Sequence, residues 1–184
     1  YDAFVAKLGE KMRSLQVGSG FDAHTTQGSL IDNAALQEVQ AHVADAVALG
    51  GRIAAGGQAL HGQFFAPTLI ANANPNMLCA REETFAPLAP VFRFETEAQA
   101  IAAANATPYG LASYIYSRDM ARIIRVSEAL EYGMVGVNVG QFGSENTPFG
   151  GIKQSGMGRE GARHGLQEYL EMKLLVLGDI ASQP

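Results

Sequence analysis

Cysteine is nearly absent from this chain. Cys79 is the only one in 184 residues, so no intrachain disulfide can form, and a reducing compartment, the cytoplasm, is the expected setting. A surplus of positive charge is lacking too: 13 basic side chains against 18 acidic ones give a net charge of −5, which disfavours a binder of phosphate backbones. No stretch approaches the ~20 consecutive apolar residues of a membrane span, and the opening Tyr1 to Leu8 lacks the basic-then-apolar layout of a signal peptide. Neither nucleic acid nor a membrane is therefore an expected partner. Low-complexity tracts, polar linkers and internal repeats are missing as well, and the seven prolines and 21 glycines are scattered. The chain does not begin with methionine, and a helical pattern starts at its first residue with no cap before it. It reads as a portion of a longer protein.

What is present is a hydrophobic content of 47%, enough for a sizeable core without metal or disulfide, and one compact α/β unit is the expectation. Phe4, Leu8, Met12 and Leu15 recur at three- and four-residue spacing and predict an amphipathic helix stopped by Gly18 and Gly20. Leu36, Val39, Val43 and Val47 predict a second helix, closed by Gly50 and Gly51, with a strand at 52–55 after it. Between Phe64 and Phe94 three extended runs are expected: 65–70, 77–80 and 88–94, with the prolines at edges or in loops. Thr96 and Gln99 form a capping-box pattern ahead of an alanine-rich helix ending near Asn105. Then come a strand at 110–116, a helix at 120–130 with Ile123, Ile124, Val126 and Leu130 inward and Gly133 as its stop, and a buried strand at 134–138. That order implies a parallel layer. A long glycine-rich stretch follows to Gly158, then a short helix at 162–166 and a final strand at 170–177. Such a loop is usually functional, and an apolar terminal strand calls for another sheet or an interface.

Candidate chemistry is sparse. Cys79, in an apolar run with Arg81 as its only nearby cation, reads as a small buried hydrophobe rather than a thiol nucleophile. His24, His42, His61 and His164 are far apart, with no pair at i, i+4, so no metal site is expected. Gly156 to Gly161 satisfies GxGxxG, yet no good strand precedes it and no acidic residue ends a following strand. A tight loop entering a helix is the reading. The run 81–87, with Glu82 and Glu83 before Phe85 and Pro87, has two readings: a carboxylate for ribose hydroxyls with a ring for a flat base, or a solvated acidic turn with a core phenylalanine. Residue types alone favour the second.

Four strings change that balance: EETFAP at 82–87, ANATPYGLASYIYSRD at 104–119, GMVGVN at 133–138 and PFGGIKQSGMGRE at 148–160. In order and spacing they resemble the NAD(P)-dependent aldehyde dehydrogenase superfamily, and PLAPVFRF and EALEYGMVGVN resemble its succinate-semialdehyde branch. The resemblance implies the C-terminal part of that superfamily's catalytic domain at 1–166. The sheet is expected to be mostly parallel and flanked by helices, and 167–184 to be a strand and tail for an oligomerisation sheet. It implies NAD or NADP as cofactor, succinate semialdehyde as substrate, with glutarate or ketoglutarate semialdehyde as the alternative, and a homo-oligomer, dimer or tetramer, as the complete enzyme. The family's catalytic cysteine and glutamate match nothing here and belong upstream; Cys79 is not that cysteine. Glu83 matches the carboxylate at the nicotinamide ribose and Phe85 the aromatic beside the nicotinamide ring. Phe149 matches a wall of the aldehyde tunnel, and 139–147 matches the substrate loop. Two departures stand out: Ala86 replaces the glycine usual after the phenylalanine, and Gly143, followed by Ser144, takes the place of a serine that helps hold the distal carboxylate. The alternative is a stand-alone binding or assembly module, docking a partner through the glycine-rich loop and terminal strand.

Overall fold

A computed structural model describes residues 1–141 and 143–178. Instead of the expected single unit, the chain forms two compact units, with the boundary between Phe94 and Glu95.

The first unit is built on a three-stranded sheet of β1 (Arg52–Ala55), β2 (Thr68–Ala73) and β3 (Leu88–Phe92), with β2 central, antiparallel to β1 and parallel to β3. Pro90 lies on β3, an outer strand, where a missing N–H can be tolerated. Strand β2 is buried on both faces, so alternate residues enter two cores. Ile70 and Ala73 join Val39, Val43, Phe65 and Met77 in one, while Leu69 and Ala71 join Val5 and Ala55 in the other. Two alternate residues would normally differ by an even count, and the step from Ile70 to Ala73 is odd. The register shift there, with Asn72 at φ 57°, absorbs the extra residue, and the Asn72 N–H donates to the Tyr1 hydroxyl at 2.6 Å.

The helix α1 (Asp2–Arg13) packs on β1 and β2, but it turns Val5 and Gly9 inward and leaves Phe4 exposed. Of the predicted stripe, Leu8 and Met12 pack partly buried against the core of Val5 and Leu69 while Phe4 falls outside it, and the helix ends at Ser14 before the glycines are reached. Helix α2 (Asn33–Ala48) starts on Asp32, whose side chain accepts from the Ala35 N–H. It ends as expected at Gly50, φ 91°, where the Gly50 and Gly51 N–H groups donate to Val47 O and Ala46 O. The run 77–80 is not extended. Leu78–Arg81 forms a single helical turn, α3, because the Asp45 carboxylate accepts from the Leu78 N–H at 2.7 Å and starts it.

The second unit holds α4 (Glu97–Asn105), with the capping box of Thr96 and Gln99 in place, and α5 (Met120–Ala129), begun by Asp119. Ile124 is exposed on α5, outside the inward face predicted for it. The predicted strand 110–116 divides into β4 (Tyr109–Gly110) and β5 (Ala112–Ile115). Strand β5 pairs in parallel with β6 (Met134–Val137) across α5, the expected strand, helix, strand unit. Strand β4 pairs antiparallel with β7 (Ile152–Lys153), a two-residue strand inside the glycine-rich stretch. The α/β class holds, but the sheets are small and mixed: of four pairings among the described residues, two are parallel. A 3-10 helix, Arg163–Tyr169, replaces the short helix expected at 162–166. The described residues of 170–177 form no strand; they are exposed, with Leu174, Leu175 and Val176 open to solvent. Residues 179–184 of the expected C-terminal segment, and Phe142 of the loop 139–147, lie outside the described residues.

Two stability measurements separate these layers. In urea unfolding, Leu69→Ala is expected to cost about 2–5 kcal/mol, because Leu69 is fully buried in β2. Thr96→Ala, which deletes an exposed cap, is expected to cost about 1 kcal/mol. A third concerns acid. Hydrogen bonding from Arg125 foremost, with its charge and Arg122, holds the Glu97 carboxyl below its ordinary range. Its stabilising effect is present above the ordinary carboxylate value and is lost as pH falls, so the stability gap between wild type and Glu97→Gln should close on acidification.

Candidate functional site

In the first unit the sequence candidates Glu83 and Phe85 sit on the segment that leaves α3 for β3. That segment is tied to α2 by a run of polar contacts at one-turn intervals. The Asn74 side-chain amide donates to Leu49 O at 3.0 Å, and the Asp45 carboxylate accepts from Leu78 N–H. One turn further along α2, His42 reaches Thr84 Oγ1 through Nδ1 at 2.8 Å and Glu82 Oε2 through Nε2 at 3.3 Å. As the segment runs forward from 74 to 84, its partners run backward from 49 to 42. It therefore lies antiparallel along the helix.

His42 is 1% exposed, and its partners flank Glu83 on either side. A carboxylate only accepts, so Nε2 carries the proton offered to Glu82, and in the neutral ring Nδ1 accepts from the Thr84 hydroxyl. Glu83 is exposed, and Phe85 is 81% exposed. A core phenylalanine is thereby ruled out, and with it that half of the solvated-turn reading. Ala86 is half-buried against the core that contains Val39 and Phe65.

In the second unit, the loop 139–147 starts from a pinned point. Asn138, at φ 54°, donates from Nδ2 to Ser117 O and accepts at Oδ1 from Ser117 N–H, while the Tyr116 hydroxyl donates to Val139 O at 2.6 Å. Asparagine is among the few side chains suited to that left-handed backbone. Gly143 is exposed at φ 132°, with open space where a Cβ would stand. Ser144 closes a turn with Thr147: its carbonyl accepts from the Thr147 N–H and hydroxyl. Phe149 exchanges two backbone hydrogen bonds with Glu160 and borders an open cleft of about 730 Å³, lined also by Leu111, Ser155, Arg159 and Tyr169.

Close backbone approaches explain several glycines of this region. A Cβ on Gly133 would overlap the Gly150 carbonyl, and one on Gly150 would stand 2.6 Å from Gly158 O. The Gly156 to Gly161 run is preceded by only the two residues of β7 and enters the 3-10 helix, so it is a packing loop and not a dinucleotide fingerprint.

The sequence profile of the aldehyde dehydrogenase family matches residues 1–175. The chain belongs to the aldehyde dehydrogenase family. It is 53% identical over 182 residues to a glutarate-semialdehyde dehydrogenase of Pseudomonas aeruginosa, covering 98% of this chain and 38% of that protein. It is 51% identical to a 3-sulfolactaldehyde dehydrogenase of Pseudomonas putida, covering 98% of this chain and 37% of that protein. Among solved structures, the succinate-semialdehyde dehydrogenase of Burkholderia pseudomallei is similar at a TM-score of 0.90 and 50% identity, over 92% of this chain and 36% of that one. The chain spans little more than a third of the length of these aldehyde dehydrogenases.

Of the candidates read from sequence, Glu83 and Phe85 share one segment of the first unit, and Gly143, Ser144 and Phe149 belong to the second. His42 is not singled out by the sequence, because a lone histidine on an apolar helix face carries no spacing signal. The one available clue was that it sits between Val39 and Val43 on that face.

Cys79 is half-buried in the first turn of α3 and packs against the core that contains Val39, Val43 and Met77. Burial foremost, with the Asp45 charge adding to it, pushes its thiol up from the ordinary value. Iodoacetamide is expected to label it slowly at neutral pH and faster as the pH is raised into the alkaline range. Labelling at pH 7 as fast as free cysteine would restore a nucleophilic role.

Proposed function

We propose that this chain is the C-terminal part of the catalytic region of an NAD(P)-dependent aldehyde dehydrogenase that oxidises a semialdehyde bearing a second acidic group, succinate semialdehyde first, to the acid. The carrying observation is the exposed pair Glu83 and Phe85 on a tethered segment within the EETFAP motif. An outward carboxylate beside an outward ring suits a ribose and a flat base.

NAD or NADP, when bound, supplies the hydride acceptor. Glu83 would accept hydrogen bonds from ribose hydroxyls, and Phe85 would give the nicotinamide ring an apolar neighbour. Phe149 would form part of the wall along which the aldehyde enters, with Ser144 and the backbone at Gly143 near its distal end. The cysteine nucleophile and the glutamate that activates water would come from residues preceding this chain. The exposed apolar residues Leu170 to Leu177 are what a subunit contact in a dimer or tetramer would cover.

A longer substrate is a specific second reading, because the relative at 53% identity is named for glutarate semialdehyde. Together with succinate semialdehyde and 3-sulfolactaldehyde, it defines a common chemistry of an aldehyde with a distal acidic group.

The test is to assay the intact enzyme against aldehydes of increasing length, with and without a terminal acid. Acid-bearing semialdehydes should have the higher kcat/KM. Ser144→Ala should raise KM for them several-fold while leaving KM for an uncharged aldehyde of equal length unchanged. Gly143→Ser is a poorer probe, since a side chain at φ 132° strains the loop. Preference for the uncharged aldehyde would overturn the substrate class, and aldehyde oxidation by residues 1–184 alone would overturn the placement of the nucleophile.

A further inference from the structure

We infer that His42 is a positioning residue for the nicotinamide end of the cofactor. The two ring nitrogens of His42 hold the side chains of the residues on both sides of Glu83 and thereby set where that carboxylate and the Phe85 ring stand. The inference rests on the proposed cofactor role of Glu83 and Phe85.

Three observations lead to it. First, a buried imidazole is a costly choice for the apolar face of α2, where Val39, Val43 and Ala46 surround it in sequence and are themselves buried. For packing alone, an aliphatic side chain would serve as well, so the polar ring must be justified by what its nitrogens reach. Second, both nitrogens are engaged, and both reach the same short segment: Thr84 at 2.8 Å and Glu82 at 3.3 Å, the residues immediately after and before Glu83. The Thr84 contact is the stronger constraint, since it is shorter and Thr84 is half-buried, whereas the Glu82 side chain is 57% exposed. Third, the segment's other ties flank Glu83: Glu82 N–H donates to Leu78 O, Ala86 N–H donates to Thr84 O and Pro87 O accepts from Thr68 N–H, while the side-chain ties from α2 to 82–84 are those of His42. The Glu83 and Phe85 side chains are exposed, and the other ties to α2 lie farther back, at Asn74 and Leu78. With a bond on each side, Glu83 loses the freedom to swing about the chain on either flank, which is the preorganisation that a carboxylate needs to meet two hydroxyls at once.

The test uses the intact enzyme that contains this chain, with two measurements independent of turnover: the dissociation constant of the reduced dinucleotide, read from its fluorescence, and amide hydrogen exchange across 82–86 in the cofactor-free protein. His42→Leu keeps the bulk and removes both contacts. It should weaken dinucleotide binding about tenfold and speed exchange at 82–86 while sparing β2, with KM for the aldehyde unchanged. Thr84→Val removes the stronger contact from the other side without disturbing the helix, and serves should His42→Leu fail to fold. The pair should be non-additive, the double variant binding no worse than His42→Leu alone.

Glu83→Gln separates the two ideas. If it weakens dinucleotide binding and folded His42→Leu or Thr84→Val does not, the positioning role is overturned and the cofactor role of Glu83 stands. If Glu83→Gln leaves binding unchanged, the cofactor reading is overturned and the inference falls with it. A uniform rise in exchange throughout α2 and β2, with no change in binding, would reduce His42 to a stability residue.

Discussion

An exposed carboxylate and an exposed ring hold a fixed position only if something buried holds the chain beneath them. In the first unit that support is the helix α2, whose Leu49 carbonyl, Asp45 carboxylate and His42 imidazole take hold of residues 74 to 84 one turn at a time. The helix can do this because its opposite obligations are already met. Val39, Val43 and Ala46 anchor it to a core shared with Phe65 and Ile70, and its ends are closed by Asp32 and by Gly50 with Gly51. Burial of the apolar face sets the position of the helix, and the helix then sets the position of the polar segment.

The second unit uses a different device. There the backbone itself is packed: Gly133 against the Gly150 carbonyl, Gly150 against Gly158, and Asn138 against both backbone groups of Ser117. Glycine permits approaches that any Cβ would forbid, so the loops around Phe149 are placed by main-chain contact and hydrogen bonds more than by side-chain burial. Lys153, held at φ 55° with its ammonium donating to Asn105 O and Thr107 O, ties that glycine-rich region back to the end of α4.

Periodicity and caps made most elements legible. The spacing of Leu36, Val39 and Val43, the Thr96 and Gln99 pair, and the apolar run 134–137 each correspond to an observed element. What escaped was decided by long-range contact. Leu78–Arg81 reads as extended in isolation, and becomes a helical turn because Asp45, 33 positions earlier, accepts from the Leu78 N–H. On α1, Leu8 and Met12 pack as their spacing predicts, but Val5 and Gly9, the latter against Leu69, are the residues that go fully inward, and Phe4 is left outside. The unit boundary at Glu95 carries no composition signal, since it falls between β3 and a capped helix with no linker. At the site, the motif strings singled out Glu83, Phe85 and Phe149, while His42 became visible only once the fold placed Thr84 against it.

Under the proposed function, the division of labour within the substrate site follows from charge. Residues 139–147 read Val-Gly-Gln-Phe-Gly-Ser-Glu-Asn-Thr, which contain one carboxylate and no cation. Such a loop can offer hydroxyl, amide and backbone donors to a distal acid group, but it cannot neutralise its charge, and a buried anion without a countercharge is strongly disfavoured. A hydrogen bond and a cleft of suitable depth can then distinguish chain lengths, since one methylene in an apolar channel alters transition-state binding by about 1–3 kcal/mol. Recognition of the acid itself requires a lysine or arginine from elsewhere. On the proposed reading, that separation accounts for why proteins named for succinate, glutarate and sulfolactaldehyde substrates can all be about half identical to this chain: the shared stretch would serve the cofactor end and the tunnel wall, and the residues that weigh one acid against another need not lie in it.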